Sequence, residues 1–121
     1  MSYDLRLGVK VDGTNLFAVI AEPEYNSPTY NLGEMFREAC SWNFNQSEWY
    51  RVSDVLPLIE RGIHELRFNP YAYKQYEPSN GWGTIDSALK ALTSLLECID
   101  NNSTNGYTWN RIPIDHLYVA W

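Results

Sequence analysis

The sequence predicts an α+β fold in which about three helices pack on one face of a small, mostly antiparallel sheet. Two hydrophobic periodicities carry this prediction. Apolar and polar residues alternate from Tyr3 to Val11, as is typical of a half-buried strand. Apolar residues then recur at helical spacing over 56–66 and 85–99. The predicted order of elements is β-β-α-α-α-β, and we expect residues 1–121 to form a single domain.

A β-hairpin is predicted at the start of the chain. Asp12 and Gly13 follow the alternating segment and are typical turn residues. The run from Leu16 to Ala21 is apolar on both faces, which predicts a strand nearer the centre of the sheet. Glu22 to Tyr30 contains two prolines and predicts an irregular loop.

The first predicted helix is short. Asn31 and Glu34 resemble a capping box with Asn31 as the N-cap, and apolar residues at helical spacing follow. The segment from Ser41 to Tyr50 mixes polar and aromatic residues. It predicts a loop that packs on the body of the domain.

Two longer amphipathic helices and a closing strand are predicted in the rest of the chain. Thr84 is a favourable N-cap, and Asn69-Pro70 ends the helix before it because proline disfavours helical backbone in the residue it follows. The predicted bounds are a second helix from Ser53–Leu56 to Leu66, a third helix from Thr84 to Ile99, a polar linker over Asp100–Gly106 and a strand over Ile112–Trp121.

Charge and composition exclude several classes of function. A net charge of −6 disfavours a general binder of nucleic acid or of anionic membranes. No apolar run approaches the roughly 18 residues of a membrane span. Cys40 and Cys98 lie in predicted helices, which favours free buried thiols in a reducing compartment. We therefore expect a cytoplasmic protein without direct contact to nucleic acid or membrane.

Motifs for catalysis or metal binding are lacking in the sequence, so we expect no enzyme, no metal site and no cofactor. His64 adjoins the apolar stripe of the second predicted helix. His116 follows Asp115, but consecutive strand residues point to opposite faces and do not pair. A nucleophilic pair of Cys98 with a histidine distant in sequence stays open as an alternative.

The run Asn80-Gly81-Trp82-Gly83-Thr84 is the first candidate binding loop. Gly81 and Gly83 permit positive φ and close approach of other groups to the backbone. Backbone N–H groups after Thr84 would point back toward the indole of Trp82 and favour an anion. The alternative is that Trp82 anchors the core and the glycines serve only the turn.

A second candidate loop, from Tyr25 to Asn31, offers hydroxyls, amides and two rings before a helix. Both loops could line one cleft, where rings stack on a base and N–H groups take a phosphate. Arg37, Arg51 or Arg111 would add charge. The predicted ligand-binding residues are Tyr25, Asn26, Thr29, Tyr30, Asn31, Arg37, Asn80, Gly81, Trp82, Gly83 and Thr84.

At these two loops the chain resembles a family of small proteins encoded by bacteriophages and prophages. The resemblance covers most of the chain and rests on the run 27–31 leading to Met35-Phe36 and on 80–84 opening an amphipathic helix. It implies a phage accessory protein that acts in the cytoplasm of a bacterial host. By analogy with other small acidic phage proteins, it implies a role against host defence.

Three functions from different classes follow. We expect a non-enzymatic binding protein that sequesters a nucleotide-like small molecule. The first alternative is an inhibitor that binds a host defence protein through an acidic and aromatic surface. The second is a small hydrolase or transferase that uses His64 or His116. A homodimer is also compatible with the sequence, with the C-terminal strand as the paired edge.

Overall fold

Helices and strands follow one another along the chain in the computed structural model, which describes residues 1–104 and 112–121. The elements are β1 (Arg6–Lys10), β2 (Phe17–Ala21), α1 (Gly33–Cys40), β3 (Trp49–Arg51), α2 (Val52–Phe68), α3 (Ile85–Asn102), β4 (Ser103–Thr104), β5 (Ile112–Pro113) and β6 (Leu117–Ala120). Short 3₁₀ turns cover Tyr30–Leu32, Pro70–Tyr76 and Ile114–His116. The predicted α+β class is confirmed.

Four strands form one sheet in the order β2-β1-β6-β3, and every neighbouring pair is antiparallel. Because β6 lies between β1 and β3, the C-terminal strand is central. The strands β4 and β5 form a separate parallel pair of two residues each. The predicted hairpin is confirmed, with Gly13 at φ 74° in its turn.

Two predicted strand positions are wrong. β2 is an edge strand, whereas Leu16–Ala21 was predicted to be more central. Apolar residues on both sides of a strand do not distinguish a central strand from an edge that solvent reaches on both faces. The C-terminal strand is not an edge, so it offers no free pairing edge for the expected homodimer.

Several predictions about caps, loops and linkers are also wrong in part. Asn31 is not an N-cap: the Thr29 hydroxyl accepts from the Asn31 N–H at 3.4 Å, a 3₁₀ turn follows, and α1 begins at Gly33. The predicted loop 41–50 contains the start of β3. The polar linker predicted over Asp100–Gly106 is wrong for residues 100–104, because α3 continues to Asn102 and β4 follows it. The last two residues of the predicted linker, 105 and 106, lie outside the described residues.

The closing strand and the two long helices agree better with prediction. A 3₁₀ turn after Pro113 divides the predicted strand into β5 and β6. Thr84 is confirmed as N-cap, since its hydroxyl accepts from the Ser87 N–H at 3.1 Å. The apolar stripes of α2 and α3 face one core, which covers one face of the sheet.

Five aromatic rings pack together in this core around Trp121, which is 1% exposed. Its ring stacks on Phe44 at 4.6 Å between centroids and meets Phe36 at 4.8 Å. Tyr3 and Trp42 complete the group at 6.2 and 5.5 Å. The cluster therefore joins the N-terminal segment, α1, the loop after it and the end of β6. The Trp121 Nε1–H has no hydrogen-bond partner among the described residues.

We expect Trp121→Ala to lower the free energy of unfolding by about 3–5 kcal/mol, because it opens a cavity in the aromatic cluster. Trp121→Phe should cost clearly less, since it keeps a ring in the cluster and leaves a smaller cavity. Both variants remove the buried donor, whose burial without a partner costs about 1–3 kcal/mol. Urea unfolding of both variants measures this. Equal losses would show that a ring at this position adds nothing to the packing described.

Candidate functional site

The face of the sheet opposite the helices carries a cluster of three half-buried aromatic rings. Phe17 and Trp49 stack at 5.0 Å between centroids with 10° between their planes. Tyr118 meets Phe17 edge-on at 4.9 Å. The three side chains come from β2, β3 and β6, so the cluster exists only when the sheet is assembled. Tyr118 points to this side because its neighbours Leu117 and Val119 face the core, and the sheet register places Phe17 and Trp49 on the same side.

Small residues on the central strands make room for the Trp49 indole. Ala120 lies directly opposite Trp49 in the sheet register, and Gly8 lies diagonally from Trp49, two residues along β1 from Arg6, which is opposite Ala120. A Cβ placed on Gly8 would lie 2.8 Å from two carbons of the indole and 2.8 Å from the Ala18 carbonyl oxygen. The absence of a side chain at Gly8 therefore allows the indole to reach Phe17 on the far edge strand.

Cationic side chains flank the rings. The Arg6 guanidinium lies 5.3 Å from the centre of the Trp49 ring, and the Arg51 guanidinium lies 5.9 Å from that of Tyr118. These distances suit a cation–π interaction. Arg6 also contacts the Asp4 carboxylate at 3.8 Å. We call the following six residues, which share this side of the sheet, the aromatic face: Arg6, Lys10, Phe17, Trp49, Arg51 and Tyr118.

A cavity of about 830 Å³ adjoins the aromatic face at the hairpin end of the sheet. Lys10, Arg51 and Tyr118 belong to both the face and the cavity lining. Residues 12–15 of the hairpin turn and His116 also line the cavity, and the lining includes two acidic residues, Asp12 and Asp115. A flat ligand on the rings could extend a negatively charged group toward Lys10 and Arg51, the two basic residues shared by the face and the cavity.

The two loops predicted to bind a ligand do lie in contact. A Cβ on Gly83 would come within 3.1 Å of the Thr29 methyl group and 3.0 Å of a Leu32 methyl group. Gly83 has φ 109° and Gly81 has φ 77°, as expected for glycine at such positions. The chain thus brings Asn80–Thr84 and Tyr25–Asn31 together, and their ligand binding stays a prediction.

Most backbone donors at the start of α3 already have partners. The Glu77 carboxylate accepts from the Ile85 N–H at 2.9 Å, and Asn80 Oδ1 accepts from the Trp82 N–H at 2.9 Å. The hydrogen bond from Ile85 is the main reason that the pKa of Glu77 lies below its ordinary value. A phosphate at this helix start would meet the Glu77 carboxylate, which opposes the anion-binding part of the prediction.

The other predicted residues have mostly internal roles, and Trp82 is the exception. At 69% exposure it is not a core anchor, so that alternative is wrong. The Tyr25 N–H donates to Ser94 Oγ at 2.8 Å, and the Asn26 side-chain amide donates to the Glu22 carboxylate at 2.9 Å. The Tyr30 ring lies 4.8 Å from the Tyr3 ring, and its hydroxyl accepts a hydrogen bond from the Gln46 amide. The Arg37 guanidinium lies 4.8 Å from the centre of the Phe44 ring. Asn31 is exposed, and Arg111 lies outside the described residues.

The structure offers little support for nucleophilic chemistry. Burial raises the pKa of Cys40 to about 12 and also raises that of Cys98, so both thiols are poor nucleophiles at neutral pH. His64 is exposed beside the Phe68 ring at 4.9 Å. Neither His64 nor His116 forms a side-chain hydrogen bond within the described ranges.

Two further features are absent from the described residues. Over 1–104 and 112–121, no three His, Cys, Asp or Glu side chains are grouped so that they could hold a metal ion. In the same ranges, no helix has both the length and the apolar character required to cross a membrane.

Sequence reasoning missed most of the aromatic face, although part of its signal was present. The alternation that sends Leu7 and Val9 to the core also sends Arg6, Gly8 and Lys10 to the other side. Tyr118 is likewise out of phase with the apolar residues around it. Trp49 had no such signal, because β3 is only three residues long.

We expect Gly8→Ala to displace the Trp49 indole, because the new methyl group cannot fit between it and the Ala18 carbonyl. The near-ultraviolet circular dichroism of the tryptophans should change, and the free energy of unfolding should fall by about 1–3 kcal/mol. Gly13→Ala is the control: its Cβ meets nothing within 4 Å, so only the cost of its positive φ is expected. An unchanged spectrum for Gly8→Ala would contradict the packing described.

We expect Glu77→Gln to destabilise the protein at pH 7 and to lose that effect in acid. A carboxyl whose pKa is lowered by folding stabilises the native state above its ordinary pKa of 4.5, and this contribution disappears as the pH falls through the lowered value. Urea unfolding from pH 7 to pH 3 measures the difference. Glu60→Gln, an exposed change on α2, controls for removal of one charge, and a constant difference at all pH values would contradict the assignment.

Comparisons with known proteins bear on none of these residues. No protein-family model, curated protein or solved structure matches this chain. The resemblance to phage and prophage proteins therefore stays a prediction.

Proposed function

We propose that the protein is a non-catalytic binding protein that takes a planar, negatively charged ligand of the nucleotide type on its aromatic face. One observation carries the proposal: three rings from three strands, with guanidinium groups beside two of them, adjoin a cavity whose lining includes Lys10, Arg51 and His116 as well as Asp12 and Asp115. The site differs from the two loops expected from the sequence. The ligand class and the lack of catalysis are those expected.

The chemistry of the aromatic face favours this ligand over an apolar one. Stacking of a base on an aromatic side chain contributes about 1–3 kcal/mol. Lys10 and Arg51 form no ion pair with a carboxylate among the described residues, so their charges are available to a phosphate. The chain carries a net charge of −6, so anions are disfavoured over most of its surface and favoured where basic side chains gather.

The biological setting is part of the same proposal. A small binding protein in the cytoplasm of a bacterial host, encoded by a phage, would act by lowering the free concentration of a nucleotide signal. The phage resemblance and the absence of a described membrane helix are compatible with that setting. Binding alone is sufficient for sequestration, so no catalytic group is required.

One observation favours inhibition of a host protein as a second candidate. Phe68, Tyr71 and Trp82 are 70%, 87% and 69% exposed, and exposed aromatic residues are frequent at protein interfaces. Co-purification of a stoichiometric host protein that is lost on Trp82→Ala would favour this candidate.

The proposal is tested by identifying what the protein releases. Protein expressed in a bacterium is denatured by heat, and the released small molecules are identified by mass spectrometry. Adenosine monophosphate is titrated in parallel by calorimetry as a defined probe. We expect Trp49→Ala and Arg51→Gln each to weaken binding of the released molecule roughly 5- to 150-fold, in line with about 1–3 kcal/mol per contact.

Trp82→Ala is the matched control, since it removes an exposed indole from the loop site instead. A loss of binding on Trp82→Ala but not on Arg51→Gln would move the site to the two loops. If nothing is released and neither the probe nor other nucleotides bind, the proposed function is wrong.

A further inference from the structure

An unusual concentration of exposed apolar side chains lies along the β2 edge of the sheet. Leu16 is 68% exposed, Val19 is 48% exposed and Ile20 is 38% exposed. Ala18 is also exposed, although it shares the side of the sheet that the helices cover elsewhere. The helix layer therefore leaves β2 uncovered.

The backbone of β2 is also available for pairing. The Val11 N–H donates to the Leu16 carbonyl at 2.8 Å, which places that carbonyl toward β1. In an antiparallel pair the direction alternates, so the groups of Phe17 and Val19 point away from the sheet. β2 is the terminal strand of this sheet in the described part of the chain. Such an edge is a template for another strand.

We propose that β2 pairs with β2 of a second copy of this chain, in an antiparallel register centred on Ala18. In this register Phe17 of each copy lies opposite Val19 of the other, and their outward backbone groups form about four hydrogen bonds. Leu16 of each copy lies opposite Ile20 of the other. The same strand thus supplies both halves of every apolar pair, as a two-fold interface requires.

Charge favours a second copy as the occupant. β2 carries no charged residue from Phe17 to Ala21, so two chains of net charge −6 can meet here without like charges in contact. A partner recognised by charge would find no complementary group on this strand. The two-fold axis is perpendicular to the sheet, so both helix layers lie on one side and flank the uncovered apolar strip. The pairing joins two four-stranded sheets into one of eight strands.

A single cysteine at the centre of the register gives the sharpest test. Ala18 lies opposite itself at a non-hydrogen-bonded position, where Cα atoms are about 4.5 Å apart and a disulfide fits. We expect Ala18→Cys to form a covalent dimer under mild oxidation. Ala72→Cys, an exposed alanine after α2, is the matched control and should stay monomeric on a non-reducing gel. The natural Cys40 and Cys98 are buried in both variants.

Light scattering coupled to size exclusion measures the same interface without cysteines. We expect the natural chain to have twice its 14.0 kDa mass and Val19→Lys to be a monomer with an unchanged far-ultraviolet spectrum. Phe68→Lys, which changes an exposed residue of α2, should stay a dimer. A monomeric natural chain, a dimer that survives Val19→Lys, or equal crosslinking of the two cysteine variants overturns the proposal. The nucleotide titration has no bearing on these outcomes.

Discussion

A single helix layer covers one face of a four-stranded sheet, and strand alternation sends every second side chain to the other face. This constraint divides the residues of the central strands into two sets. Leu7, Leu117 and Val119 face the helices and are fully buried, which supplies much of the hydrophobic stabilisation. The residues between them are left to solvent or to a ligand. The aromatic face is the consequence of having helices on one side of the sheet only, over the residues that the structure describes.

The two faces use aromatic residues in different ways. On the helix side, the rings around Trp121 are buried and join segments that are distant in sequence. On the open side, Phe17, Trp49 and Tyr118 are only half-buried and have cations beside them. Rings in the first group exclude water and stabilise the fold. Rings in the second group keep edges and faces that solvent can reach, which is what stacking on a planar ligand requires.

The edge strand β2 shows that a run of apolar residues can form either a central strand or an exposed edge strand. An apolar run on both faces is typical of a central strand because both faces are usually covered. Here the helix layer ends before β2, so the same residues form an uncovered edge. How much of the sheet the helices cover depends on where α1, α2 and α3 pack, and no local sequence pattern predicts that. The uncovered edge of the sheet and its aromatic face both follow from this limited cover.

Local periodicity by itself determined the α+β class, the hairpin, the amphipathic stripes of α2 and α3 and the Thr84 cap, because each depends on residues a few positions apart. Only the tertiary structure decided the strand order, the short strand β3 and the site. Trp49 meets Phe17 across Gly8 although 32 positions of sequence separate the two rings, and no periodicity extends that far. The two predicted loops do meet, but Glu77 occupies the helix start that was expected to bind an anion. A donor is free only if no other part of the folded chain reaches it, and that is a property of the whole structure.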